Sequence, residues 1–391
     1  VTEPAADAPG EGDREEPLRV STLELFFDLV FVFAITQLTS ILARDLTVLG
    51  AVRVLLIFGV LWWMYGGYVW LSNARTPVET PERLLMLVGM GGFLIVGLAI
   101  PHAFGRDGVA FGVGYLVVVG VHTWLYQRIN RNIARVAPFN VLSALLIIGA
   151  GLAGGTWLGP AYGLWAAALA VQVLSPLVTR VRGRFAIRPD HFAERHGALV
   201  IIVFGESVAD IGIGVGTAGQ VITTSLVVSA ALGLALAAAL WWSYFGVGDD
   251  DRAEQAMTRA DPAARPGLAL AAFFYAYIPL LLGIVAVAAG VKRAIGHAGS
   301  TLPYPACLAL AGGVALYLAG DMAFRHALRI GVQRYRAAAA VAALAVSGVG
   351  VWLSVAAEIA LLAVIVVAAL VLERRAAPSP AARPPAGTVD A

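Results

Sequence analysis

Charge is what this sequence has least of. Only 13% of its 391 residues are Asp, Glu, Lys or Arg, about half of the roughly 25% that an ordinary soluble domain carries. A water-facing surface of the area this chain would need cannot be built from so few charges, which excludes a soluble enzyme. There is a single cysteine, Cys307, so an internal disulfide and any multi-cysteine metal site are excluded. There is a single lysine, Lys292, against 26 arginines, and the formal net charge is +2. No field strong enough to attract nucleic acid follows from that balance. The first twenty residues lack a basic leader and carry Pro4, Pro9 and Pro17 among acidic side chains. They are expected to form a disordered tail rather than a signal peptide. Residues 376–391, rich in Pro and Ala, read the same way.

What the sequence has in abundance is apolar length. Hydrophobic residues make up 59% of the chain and mean hydropathy is +0.81. A bilayer core of about 30 Å takes about 20 helical residues to cross, and only helices or closed barrels satisfy the backbone there. The spacing predicts an all-α polytopic bundle of about twelve spans, near 22–43, 50–71, 84–104, 109–127, 138–157, 161–179, 196–216, 222–246, 267–290, 305–324, 337–353 and 356–373. The last two are short and close, and one long helix is the alternative.

Arginine placement tests the count independently. With twelve spans, Arg44, Arg53, Arg106, Lys292 and Arg293 lie on one side and the other 22 of the 27 basic residues lie on the opposite side. Such a bias marks the cytoplasmic face, so both termini are expected in the cytoplasm. With the Arg, Ala and Gly content of a GC-rich bacterial genome, the expected location is a bacterial inner membrane.

The chain also echoes itself. Trp62-Trp63-Met64-Tyr65 in span two is matched by Trp241-Trp242-Ser243-Tyr244 in span eight. The same offset carries Asp28 of span one onto Glu206 or Ser207 of span seven, and His122 and Asp321 end spans four and ten. Two parallel six-helix repeats are predicted, over 21–190 and 191–375, related about an axis along the membrane normal.

Ionisable groups inside a bilayer are costly and mark candidate sites. Glu24 and Asp28 are four apart on one face of span one, and Gln37 extends the polar stripe. Glu24, nearer the interface, could serve merely as a solvated helix cap; Asp28 lies deeper and needs a partner or a cavity. In span seven, Glu206 and Asp210 share a face with Ser207 beside them. At the mouth of that span stand His191, Glu194 and Arg195, where a plain helix start is the competing reading. The expected ion or solute pathway comprises Asp28, Gln37, Glu206, Ser207 and Asp210. Asp28 and Glu206 are expected to face one central cavity, with Glu206→Gln removing transport and Glu24→Gln milder. Secondary candidates are Glu24, Trp63, Tyr65, His122, His191, Glu194, Arg195, Trp242, Tyr244 and Asp321. For Asp321 the default reading is an interfacial ion pair with Arg325; Glu358 reads as interfacial.

Familiar enzyme motifs fail on spacing. His191 and His196 are five apart, whereas a zinc-binding helix needs two His four apart. Gly205-Glu206-Ser207 lacks the closing glycine of a nucleophile elbow, because Ala209 stands there. Gly212, Gly214, Gly216 and Gly219 follow a helix rather than a strand, so they are not a dinucleotide loop. No metal and no cofactor are implied. The partners implied are the lipid bilayer and a small ion or solute, with assembly into a homo-oligomer left open.

The run from Glu24 to Thr36, Glu-Leu-Phe-Phe-Asp-Leu-Val-Phe-Val-Phe-Ala-Ile-Thr, closely resembles the opening helix of the bacterial low temperature requirement A (LtrA) family. Trp62-Trp63-x-Tyr65, His191-x-x-Glu194-Arg195 and Phe204-Gly205-Glu206 resemble that family's other signatures. The resemblance implies a multi-pass membrane protein and no particular molecular activity. Phe26-Phe27-Asp28 is also similar to the Phe-Ser-Asp helix of a potassium-channel family with two six-helix repeats, whose first helices line the pore. Here Phe27 replaces the serine and Thr22 stands in place of an arginine, so ion selectivity does not carry over. A transporter or channel for a small cation or proton-coupled solute is the leading expectation. A membrane-embedded enzyme or lipid-handling protein, using Glu206, His191 and Glu194, and a non-catalytic scaffold are the alternatives.

Overall fold

The computed structural model describes residues 20–75, 79–130, 133–154, 159–179, 187–216, 222–246 and 248–376, without the side chains of 133, 134, 177, 207 and 209–216. The two tails, Ser207 and Asp210 as side chains, and the Gly-rich exit from span seven lie wholly or largely outside that description.

All twelve predicted spans are helical. They are α1 (Thr22–Arg44), α2 (Val48–Ala74), α3 (Thr80–Ala99), α4 (Gly108–Gln127), α5 (Ile133–Ala153), α6 (Pro160–Thr179), α7 (Pro189–Gly216) and α8 (Thr224–Tyr244). A short polar helix, α9 (Asp249–Arg259), intervenes before α10 (Arg265–Ala269), which runs through a π turn at Leu270–Tyr275 into α11 (Tyr277–Ala294). Then come α12 (Tyr304–Leu328), α13 (Arg334–Ala345), α14 (Val349–Trp352) and α15 (Val355–Ala376). Among the described residues ten segments are long and apolar enough to cross a membrane. The final two spans are separate helices, parted at Leu353 and Ser354. They run antiparallel, because Arg336 at the start of one bonds Glu373 at the end of the other.

Local chemistry sets these boundaries. Ser21 caps α1 and Glu24 returns the bond to the Ser21 backbone, closing a capping box that satisfies two otherwise orphaned donors. Thr47 and Thr223 cap α2 and α8 through their hydroxyls. The π turn inside span nine follows Pro266 and precedes Pro279. The Phe274 carbonyl there accepts the indole N–H of Trp62 at 3.0 Å, which ties span nine to α2.

Helices pack through small residues, as expected where lipid supplies no hydrophobic drive for association. Gly283 and Gly290 of α11 face Gly313 and Gly320 of α12, and each meets backbone or side-chain atoms of the partner so closely that a methyl group would collide. Gly108 of α4 and Gly151 of α5 abut backbone to backbone. Outward faces remain apolar: Leu55, Leu98, Leu145, Val227, Val341 and Val364 are exposed, as lipid-facing side chains must be.

α1 sits between α3, α7 and α11, and α7 touches α1, α2, α8, α9 and α11. The first and seventh helices therefore meet at the middle of the bundle, with α2 beside them.

Candidate functional site

The α1–α7 contact is sealed by charge. Glu24 and Asp28, one turn apart on α1, both point at α7, and both are fully buried. Arg195 of α7 lies between them, also fully buried. Its Nη1 donates to Glu24 Oε1 at 3.1 Å and its Nη2 to Asp28 Oδ1 at 3.2 Å. Nη1 also donates to Ser72 Oγ of α2. The Phe27 and Tyr65 rings stand 5.6 and 5.9 Å from the guanidinium carbon, within cation–π range. Tyr65 donates its hydroxyl proton to Asp28 Oδ1 at 3.0 Å. Asp28 Oδ2 is buried with no hydrogen-bond partner among the described residues.

His191 completes the cluster, one turn before Arg195. Its Nε2 lies 3.1 Å from Glu24 Oε1, and its Nδ1 lies 3.2 Å from the amide nitrogen of Asn73. The Asn73 amide is fixed from both sides. Its oxygen accepts the Arg188 backbone N–H and its nitrogen donates to the Arg188 carbonyl, each at 3.0 Å. The nitrogen must therefore be the atom facing His191, and His191 Nδ1 must accept. In that tautomer the ring proton sits on Nε2 and is donated to Glu24.

Several sequence expectations change here. Glu24 does cap α1, but from a buried position rather than a solvated one, because α2 and α7 close over it. Asp28 and Glu206 are not brought together: Asp28 meets α7 at Arg195, eleven residues before Glu206, or about 16 Å along the helix axis. Glu206 is half-buried and has no hydrogen-bond or ion-pair partner among the described residues. Gln37 is half-buried on α1, nine residues beyond Asp28. Glu194 is exposed and accepts the Val20 N–H at 3.2 Å. His191 is thus turned inward onto Glu24, Glu194 is turned outward, and Glu206 lies fifteen residues beyond His191 on the same helix.

The aromatic candidates divide as well. Trp63 donates to Asn140 at 3.0 Å, Tyr65 belongs to the cluster, and Tyr244 bonds Tyr277. Trp242 is exposed. His122 is buried against Gly67, between the Tyr68 and Tyr126 rings.

A second buried cluster went unforeseen. Asp321 of α12 pairs with Arg336 of α13, not with Arg325. Arg325 binds Asp249 at 3.1 Å and Glu373 at 2.6 Å. Arg336 also reaches Asp249 at 3.3 Å and Glu373 at 3.1 Å. Asp249 opens α9 in a run of three aspartates, and none of Asp249, Arg336 and Glu373 is a candidate in the sequence. Only their sequence neighbours were visible, and the contacts that bury them join residues up to 87 positions apart. Glu358 is likewise buried rather than interfacial, and accepts the Gly350 N–H at 2.8 Å.

At the mouth of α7, α9 adds Asp250, Asp251 and Glu254 to Asp190 and Glu194. Partial burial, with the repulsion of Asp190 and Asp251 added, raises the Glu254 carboxyl above its ordinary range. Five carboxylates thus gather at the mouth of α7, within the arginine-rich end of the bundle.

The family model for bacterial low temperature requirement A protein (LtrA) matches residues 19–371, which takes in both helices of the cluster and every described span. The chain belongs to the LtrA family. An uncharacterised protein of Rhizobium meliloti (strain 1021) is 28% identical over 327 residues, covering 79% of this chain and 78% of that one. For this LtrA protein, the motifs that carried the resemblance now have places. The Glu24–Asp28 run and the His191–Arg195 run form opposite walls of one buried network, and Tyr65 bonds across it.

Proposed function

We propose that this LtrA protein is a transporter or channel for a small cation or a proton-coupled solute, and that Asp28 carries the exchangeable proton. The observation that carries the reading is the charge count of the α1–α7 cluster. Glu24 and Asp28 supply two negative charges and Arg195 one positive, with His191 neutral by its tautomer. A net charge left in a membrane interior is expensive, so neutrality calls for one more proton or one monovalent cation. Asp28 Oδ2, buried and without a hydrogen-bond partner, is the open position. By contrast, the second cluster balances: Asp249, Asp321 and Glu373 against Arg325, Arg336 and Arg252, whose Nη1 lies 3.1 Å from Asp249. It serves as a clamp.

The acidic mouth formed by Asp190, Glu194, Asp250, Asp251 and Glu254 fits the reading, because it concentrates cations at the entry to the cluster. Glu206, Ser207, Asp210 and Gln37 remain on the same two helices, one or more turns further along, as the continuation of the route. The 22-to-5 basic bias favours cytoplasmic termini. A twofold repeat is favoured by the neighbour pattern, since α3–α4, α4–α5 and α5–α6 contacts recur as α11–α12, α12–α13 and α13–α15.

The test is flux. Purified protein in liposomes loaded with a pH-sensitive dye is challenged with pH, sodium and potassium gradients. Proton or cation flux above protein-free liposomes, abolished by Asp28→Asn, is expected. Equal flux through wild type and Asp28→Asn would refute the assignment.

A further inference from the structure

A groove of about 850 Å³ opens on the arginine-rich end of the bundle, between α8, α15 and the α12–α13 turn. Its two halves differ in chemistry. The deeper half is apolar, walled by Ala235, Ala238 and Trp242 of α8 and by Val367, Leu370 and Val371 of α15. Trp242, Val367 and Val371 are exposed there. The outer half is cationic, with Arg252, Arg334 and Arg374 on its rim, all three exposed.

The cationic rim is not neutralised by its surroundings. Glu373 also lines the groove, but both of its oxygens are taken by the buried Arg325 and Arg336. Arg252 is spent on Asp249 within the balanced clamp, so the free charge of the rim rests on Arg334 and Arg374. Arg334 leans on the Tyr335 ring and hydroxyl, which carry no charge. Arg374 has no ion-pair or hydrogen-bond partner among the described residues. The rim therefore presents positive charge to whatever enters.

Dimensions narrow the occupant. From Ala235 to Tyr244 along α8 is about 14 Å, close to the half-thickness of a bilayer core of about 30 Å. The apolar half thus spans the acyl depth of one leaflet and the arginines stand at headgroup level. Trp242 sits between the two, where an indole favours the interface. Guanidinium groups match phosphate oxygens in a bidentate way that an ammonium does not.

We propose that this groove is a binding site for an anionic phospholipid of the leaflet on the arginine-rich face. Its phosphate lies between Arg334 and Arg374, and an acyl chain lies along Trp242 and Val371. The groove shares no lining residue with the Asp28 cluster and does not depend on the transport reading. It gives the clamp of Asp249, Arg325, Arg336 and Glu373 a consequence: by consuming Glu373, the clamp leaves the rim cationic.

The test is native mass spectrometry of the full chain in detergent, after exchange with phosphatidylglycerol or phosphatidylcholine. Wild type is expected to retain phosphatidylglycerol in preference to phosphatidylcholine. Arg334→Gln combined with Arg374→Gln should weaken phosphatidylglycerol retention about thirtyfold, from roughly one charge's worth of surface attraction per arginine. Both side chains are exposed, so the thermal transition should be unchanged, and Arg44→Gln with Arg106→Gln at the other end should retain lipid as wild type does. Ala238→Trp, which fills the apolar half while leaving the arginines, should also lose the lipid. Equal retention of the two lipids, or unchanged retention in the double Gln variant, would overturn the proposal. Retention undiminished by Ala238→Trp but competed by inorganic phosphate would overturn it too, since that describes a phosphate site rather than a lipid site.

Discussion

The Asp28 carboxylate and the Arg195 guanidinium meet at 3.2 Å with neither side chain exposed. They come from helices 167 positions apart in sequence. One arginine stands between two acids, with His191 as the other partner of Glu24, and the proposed proton on Asp28 rests on that surplus of carboxylates.

Asp28→Asn should therefore be tolerated. The amide is nearly isosteric, is neutral, and keeps an oxygen for Tyr65 and Arg195. Thermal stability is expected to change by no more than about 1 kcal/mol, the scale of one hydrogen bond, while pH-driven flux is lost. Thermal unfolding and dye-based flux measured on the same preparation check both halves.

Removing Arg195 should be far more damaging. Arg195→Met leaves Glu24 and Asp28 side by side on α1 in a dry interface, with no guanidinium between them. Breaking a buried pair in this way costs about 3–5 kcal/mol. Glu24→Gln should fall between Arg195→Met and Asp28→Asn, because it strips Arg195 of its charged partner and weakens the cap of α1. Thermal transitions of the three variants, compared in one detergent, give the order.

The second cluster should govern stability alone. Arg336→Met leaves Asp321 and Asp249 underpaired and uncouples α13 from α15, at a similar cost of about 3–5 kcal/mol. The variant that survives purification should show flux with the pH dependence of wild type. A changed pH dependence would mean that the clamp and the site are one network.

Close approach of α11 and α12 rests on glycine. At Gly320 a side chain would run into the Leu280 backbone, and at Gly283 into Tyr317. Gly320→Val should destabilise by about 1–3 kcal/mol or more, the range for overpacking, whereas Gly91→Val, where nothing lies within 4 Å, should be near neutral. Fluorescence-detected size exclusion after heating would separate the two.

The helices were legible in the sequence because span length and apolarity follow from bilayer thickness. Predicted and observed ends agree within a few residues for most spans, and the separation of the last two spans resolved the one ambiguous count. Glu24, Asp28, His191 and Arg195 were also legible, as polar groups in apolar helices and as the motifs carrying the family resemblance. Their pairing was not. Helical periodicity says which face a residue occupies, not the height at which a neighbouring helix meets it. That is why Asp28 was matched with Glu206 through the repeat offset, when α1 and α7 in fact align Asp28 with Arg195. Asp249, Arg336 and Glu373 escaped for a related reason. Each stands near a predicted membrane boundary, where a charge costs little and gives no signal, and only the folding-back of α9 buries them.

The central claim is that one proton resides on Asp28, and infrared difference spectroscopy between acidic and alkaline pH reports it directly. The account predicts a carbonyl stretch of a protonated carboxylic acid in wild type that disappears on alkalinisation and is missing from Asp28→Asn. A spectrum of Asp28→Asn that retains that band unchanged would contradict it.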